Sequence, residues 1–289
     1  GQPWTSDPWT LSERDGRLYG RGTCDMKGFI ALCLAHADEL ARRCRLRPVH
    51  LALSYDEEIG CAGVAPMIER MADAGAAPAL VWVGEPTLWG VCSGHKRIRD
   101  YEVIVTGKEA HSSDPRRGAS AIHEAVELMA AVRAVAREAE AQAEAARGAE
   151  AKAGFDPPWT TLTIGEVGGG TAANILAREC RFVFDVRSTP GADPDALLAP
   201  FFEAVDAARR RLAGHGTDCG VEVRLRADAP ALAPVSDSAA ERFLRELTGD
   251  NAFRVAAYAT EAGQFQRRGM DAVICGPGSI DQAHKPDEF

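Results

Sequence analysis

The sequence has 289 residues, with Asp+Glu 42 against Lys+Arg 33 and a net charge of -9. Hydrophobic residues at 46% and charged residues at 26% fit a globular protein and exclude wholesale disorder and collagen-like repeats. No apolar stretch approaches the roughly 20 residues that cross a bilayer, so no membrane span is expected, and the acidic balance argues against nucleic acid as a partner.

The basic runs Arg116-Arg117 and Arg209-Arg210-Arg211 read as solvated faces. The cysteines at 24, 33, 44, 61, 92, 180, 219 and 275 form no C-x-x-C pair. That pattern fits neither a zinc finger nor a small disulfide scaffold, and suggests reduced thiols and a cytoplasmic location. The chain opens in Gly1-Gln2-Pro3-Trp4, without Met, and stops at Phe289. The expectation is that pieces of the protein lie beyond both ends.

In chain order, Arg17–Gly20 is a short strand candidate. Met26 to about Arg43 has helical spacing, with Ile30, Cys33, Leu34, Ala37 and Leu40 on one face. His50–Tyr55 reads as a buried strand, Gly63–Asp73 as a helix and Ala79–Val83 as a second apolar strand. Near Arg97 the pattern changes. From Arg99 to Thr106, Tyr101, Val103 and Val105 alternate with Glu102 and Ile104, as in a strand with one solvated face. A long Ala/Glu-rich helix is predicted from about Ala119 to Arg147, closed by Gly148, Gly154 and Pro157-Pro158. Strands at 160–167 and 180–188, a helix at about 195–212 and a strand at 221–226 complete a β-α-β-β-α-β order, the ferredoxin-like pattern. A helix at 236–247 and a strand at 271–275 resume the style of the first part. The expected fold is α/β. An α/β/α catalytic domain (1–96 and 229–289) carries an inserted ferredoxin-like domain at 97–228.

Candidate chemistry collects where strands end. Asp25 follows the first strand, Asp56-Glu57-Glu58 follow the 50–55 segment, Glu85 follows the third, and His284 lies beyond the last strand and a Gly276-Pro277-Gly278 turn. In open α/β sheets, ligands bind at the carboxyl ends of strands. Taken singly, each acid fits a helix cap or a surface charge better than a metal site. Together they would raise one another's pKa, and a divalent cation resolves that repulsion. A carboxylate/imidazole set suits zinc, with cobalt or manganese as alternatives. The glycine-rich Gly165–Gly170 stretch does not fit G-x-G-x-x-G, and no G-x-S-x-G is present, so neither a nucleotide site nor a serine-hydrolase elbow is indicated. His95, at the predicted domain junction, reads as a hinge or surface residue.

The stretches GRGTCDMKG, LSYDEEIGCAG, VGEPT, GKEAHSSDPRRGASAI, NILARECRFVFDVRSTPG and CGPGSIDQAHKPDEF resemble, in this order, the dinuclear-zinc aminoacylase/carboxypeptidase family. The resemblance covers nearly the whole chain. It implies a metal-dependent amidohydrolase with two zinc ions per subunit, cobalt being the alternative. It also implies a homodimer joined through the inserted domain and a small N-acylated amino acid as substrate. Carried over by position, Asp25 resembles the metal-bridging carboxylate, Glu58 and His284 the ligands of one metal, and Glu85 a ligand of the other. Glu57 resembles the general base. His111 and Asn174 resemble residues that reach the partner subunit's site, with His111 stabilising the oxyanion. Arg187 resembles the residue that grips the substrate carboxylate, an ion pair at a strand end being its plainer reading. Glu261 is assigned, on charge complementarity alone, to a substrate ammonium.

GQPWTSDPW and SIDQAHKPDEF narrow the expected reaction to hydrolysis of N-acetylornithine in arginine biosynthesis. Succinyl-diaminopimelate desuccinylation, aminoacylase or carboxypeptidase activity are the sister readings. The family's remaining metal ligand is a His in an H-x-D that precedes the GRGTCDMKG stretch; the H-x-D of this sequence, His36-Ala37-Asp38, follows that stretch and is not its counterpart. The family's ligand is expected upstream, and the opposing reading is a non-catalytic dimerisation or metal-binding fragment.

Overall fold

The computed structural model describes residues 2–44, 46–145 and 154–289. In chain order its elements are β1 (Ser12–Arg14), β2 (Arg17–Tyr19), α1 (Gly28–Ala35), α2 (Ala37–Arg43), α3 (Val64–Asp73), β3 (Val81–Val83), β4 (Gly94–His95), β5 (Arg97–Thr106) and α4 (Ala121–Ala145). They continue with β6 (Thr161–Gly169), β7 (Glu179–Ser188), α5 (Pro194–Ala213), β8 (Gly220–Ala229), α6 (Ala239–Thr248), β9 (Val255–Ala256), α7 (Ala262–Arg267) and β10 (Ala272–Ile274). The predicted helix end at Arg147 and Gly148 lies outside the described residues. Among the described residues, no helix is long and apolar enough to cross a membrane.

Alternation builds the larger sheet. Tyr101, Val103 and Val105 of β5 are buried on one face, as their period of two requires. They stand opposite Phe184, Phe182 and Cys180 of antiparallel β7. The four strands run β6-β7-β5-β8, the ferredoxin-like order, with α4 and α5 on the buried face. Leu198, Phe201, Val205, Ala208 and Leu212 of α5 recur at three and four residues and are buried. Asp193 starts that helix, its side chain accepting from the Asp195 and Ala196 N–H groups before Pro194 enters the first turn.

The remaining elements surround smaller sheets. β3 and β10 pair in parallel, Ala272 opposite Val81 and Ile274 opposite Val83, and Cys92 bridges Ile274 on the other edge. α3 and α7 help cover this sheet through Val64, Ile68 and Phe265, and α6 through Leu244. β4 pairs in parallel with β9 and leads directly into β5. At that junction His95 is fully buried. Its Nε2 accepts from the Gly263 N–H at 3.1 Å, and burial lowers its pKa to about 4. It is a neutral structural histidine, which corrects the hinge or surface reading. Lys96 beside it is also buried, its Nζ donating to the Trp159 carbonyl at 2.8 Å.

Two expectations from the first part fail. The helix expected over 26–43 breaks at His36, and neither α1 nor α2 buries a residue. Residues 50–55 form no strand; Leu51 is 41% exposed and Leu53 63%. A strand is held by its neighbours' ladders. No strand among the described residues pairs with this segment, so its apolar side chains gain nothing from an extended conformation.

The core of the four-stranded sheet makes a direct prediction. Phe184 is fully buried and its ring lies 5.2 Å from Tyr101 and 5.1 Å from Phe201. Phe184→Ala should cost about 3–5 kcal/mol in urea unfolding. A loss below about 1 kcal/mol would contradict this packing.

Candidate metal and catalytic centre

Each acidic residue arrives on a backbone feature that local sequence dictates. Asp25 sits in the turn between β2 and α1, where non-helical φ/ψ at Asp25 and Met26 turn the chain. Glu57 and Glu58 open a single 3-10 turn after Asp56, and the chain leaves it through Gly60 at φ 96 and Cys61 at φ 56. Glu85 follows β3. Its backbone is packed so closely that a Cβ on Gly276 would lie 2.5 Å from the Glu85 carbonyl oxygen, so glycine is required there. His284 stands in left-handed backbone at φ 61, in the turns that follow β10.

These segments converge. Ligand atoms of Asp25, Glu58 and His284 lie within 4.8 Å of one another. His284 Nε2 is 2.9 Å from Glu58 Oε2 and 3.4 Å from Asp25 Oδ2. Asp25 also shares a side-chain hydrogen bond with Glu85, which is only 5% exposed. Asp25 is therefore in contact both with the Glu58 and His284 group and with Glu85. Glu57 lies close enough to raise the pKa of Glu85.

The electrostatics follow from crowding. Burial, then the Glu58 charge, raises the Asp25 pKa. Burial, reinforced by Glu57 and Asp25, holds Glu85 far above the usual carboxylate range. Burial and Glu58 bring Glu57 to about 7, while a hydrogen bond from Cys61 Sγ at 3.5 Å opposes that rise. Burial also raises Glu261, which hydrogen-bonds Ser54 while its Oε1 has no hydrogen-bond partner. Converging carboxyls and an imidazole form a donor set that fits a divalent cation.

The other predicted residues lie apart. His111 pairs with Ile175, and the Ser112 N–H donates to the Asn174 carbonyl at 2.9 Å, so His111 and Asn174 are neighbours on exposed loops that connect elements of the four-stranded sheet and its helices. No hydrogen bond or ion pair among the described residues joins them to the acidic cluster. His111 Nδ1 contacts the Ser113 hydroxyl at 2.8 Å and the Ser113 N–H at 3.2 Å. Arg187 Nε donates to Asp185 at 2.7 Å, the strand-end ion pair of the plainer reading. Its terminal nitrogens have no hydrogen bond among the described residues. Sequence reasoning missed the buried Glu288, which accepts the Asp25 N–H, and the Cys61 thiol on Glu57. Glu288 stands in the SIDQAHKPDEF stretch that carried the resemblance, but a carboxylate beside a chain end gives no local signal of burial.

The raised carboxyls predict how stability depends on pH. Asp25, Glu57, Glu85 and Glu261 hold protons more tightly folded than unfolded. Their contribution is full below the unfolded carboxylate range and is lost as pH rises, Glu57's share disappearing through about 7. Urea unfolding of metal-free protein should show stability falling from pH 5 to 8. Added zinc should flatten that slope. Metal-free stability that rises over the same range would contradict the assignment.

The family model described as peptidase family M20/M25/M40 matches residues 1–289. A Myxococcus xanthus protein named acetylornithine deacetylase is 35% identical over 286 residues, 99% of this chain and 70% of its own length. One of the same name from Yersinia pseudotuberculosis is 32% identical over 289 residues, 99% of this chain and 69% of its own. Among solved structures, an M20 family metallo-carboxypeptidase from Sulfolobus solfataricus superimposes with a TM-score of 0.70 at 17% identity, covering 99% of this chain and 76% of that one. Human carnosine dipeptidase 1 gives 0.65 at 17% identity, covering 99% and 71%. At that identity the structures establish the α/β fold alone. The family and the relatives make this chain an enzyme that hydrolyses amide bonds with the help of metal. It belongs to peptidase family M20/M25/M40.

Proposed function

We propose that this centre hydrolyses N-acetyl-L-ornithine to L-ornithine and acetate, a step of arginine biosynthesis. The observation that carries the reading is Asp25 grouped with Glu58 and His284 while it hydrogen-bonds Glu85. The names of the relatives, at 35% and 32% identity over 99% of this chain, supply the substrate.

Glu58, His284 and Asp25 would hold one zinc ion, and Asp25 with Glu85 would contribute to a second. Zinc so held supplies Lewis-acid activation of water and of the amide carbonyl. Glu57 is the general base. It takes a proton from the attacking water and returns it to the departing α-amine. A group with a pKa near 7 can do both at neutral pH.

The remaining roles need the other domain. His111 is exposed and Asn174 lies beside it, yet no hydrogen bond or ion pair among the described residues joins either to the cluster of its own chain. A homodimer joined through the inserted domain would bring them to the partner's centre, where His111 donates to the developing oxyanion. Losing one such donor costs about 10²–10³ in rate. Arg187 would turn its free terminal nitrogens to the substrate α-carboxylate as a fork that lysine could not reproduce. Glu261, buried with one unpartnered oxygen, would accept the side-chain ammonium of ornithine.

The test is ornithine release from N-acetyl-L-ornithine with zinc added, beside N-succinyl-diaminopimelate. Release that a chelator abolishes is the expected result. Cleavage of the succinyl compound alone would move the substrate while keeping the centre. Glu57→Gln should lower turnover at least about 10²-fold with zinc content retained, because general-base catalysis contributes about 10²–10⁴-fold. Glu58→Gln should lose zinc. A Glu57→Gln variant with near-normal turnover would refute the base.

A further inference from the structure

Near the end of the chain, Glu288 carries a carboxylate that is only 1% exposed. Burying an anion costs several kcal/mol unless partners satisfy it. Here every partner comes from the loop that ends at Asp25. Oε1 accepts the Cys24 N–H at 3.1 Å and the Asp25 N–H at 3.0 Å. Oε2 accepts the Gly22 N–H at 3.1 Å and Arg21 Nη1 at 2.9 Å. The Glu288 carbonyl takes the Gly20 N–H at 3.0 Å. An ionised carboxylate offers about four acceptor sites, and all four are used.

The position of this carboxylate matters as much as its partners. It lies four residues beyond His284, and three of its hydrogen bonds go to the backbone that presents Asp25. That backbone is non-helical at Asp25 and Met26, so helix bonds do not hold it in place. Neighbouring contacts close the same seam: Thr5 donates through N–H and hydroxyl to Asp287, and Cys24 Sγ donates to the Ser279 carbonyl at 3.3 Å.

We propose that Glu288 is a positioning residue whose buried carboxylate ties the His284 turn to the Asp25 loop and sets the spacing at which these two side chains share a metal. The inference rests on the metal reading of Asp25 and His284 given above. Partners of this kind typically change metal affinity 10–100-fold.

Two readouts test it. In the metal-free protein, the Cys24 and Asp25 amides should be protected from hydrogen exchange. Free exchange at both would overturn the proposal without any variant. Glu288→Gln keeps the side-chain length but puts an NH₂ among donors. It should speed exchange at these two amides at least about 10-fold and weaken zinc binding, read by competition with a chelating dye, by about 10–100-fold. Amides of Val103 and Phe184 should keep their protection, which a general loss of stability would not allow. A Glu288→Gln protein with zinc affinity within about twofold of the parent and unchanged exchange at Cys24 and Asp25 would also overturn it. Asp25→Asn and Glu58→Gln serve as references. If both retain zinc, the metal reading fails, while the exchange data still decide whether Glu288 holds the loop.

Discussion

Crowded carboxyls are the constraint on which this structure depends. Burial and neighbouring carboxylates, Glu58 and Glu261 among them, raise the pKa of Asp25, Glu57 and Glu85 at the convergence of segments far apart in sequence. Two bare carboxylates about 4 Å apart repel by roughly 4 kcal/mol at an effective dielectric of about 20. A few such pairs rival the whole net stability of a domain, about 5–15 kcal/mol. The fold meets this in two ways. Protons stay on the buried members, as the raised pKa values of Glu85 and Glu57 record. A cation can then replace those protons. The same repulsion that destabilises the metal-free protein therefore becomes affinity for metal, and leaves Glu57 near neutrality, where a base must work.

Holding such a cluster together falls to the backbone. Gly276 lets the segment after β10 approach the Glu85 carbonyl too closely for any side chain. The turn that presents Glu57 leaves through Gly60 and Cys61 in left-handed backbone. Glu288 ties the two ends of the described chain to each other across the centre. The inserted sheet is independent of this strain. Its core of aromatic and branched side chains between β5, β7, α4 and α5 needs no charge to explain it. It offers a rigid base from which His111 and Asn174 face outward.

The inserted sheet was legible because its signals are local and redundant. The period of two in β5 and the three-and-four spacing in α5 each point to a face, and the structure buries both. The acidic cluster was legible in outline: Asp25, Glu58, Glu85 and His284 were placed beyond candidate strands, and Asp25, Glu58 and His284 do meet in space although the strand expected before Glu58 is absent. The segment at 50–55 misled because hydrophobicity states a demand for cover and not its fulfilment; Leu46 is 98% exposed in the same region. The burial of His95 and Glu288 was invisible for a related reason. Both are polar residues made tolerable by partners from distant parts of the chain, Gly263 for His95 and residues 20–25 for Glu288.

The central claim is that a metal ion neutralises the Asp25, Glu58, Glu85 and His284 cluster. Anomalous diffraction at the zinc edge, from crystals of zinc-loaded protein, tests it most directly. The account predicts a peak bounded by Asp25, Glu58 and His284, with any second peak on the Glu85 side of Asp25. Zinc found only elsewhere, with the Asp25 and Glu85 carboxyls still hydrogen-bonded to each other and no density among the four side chains, would contradict it.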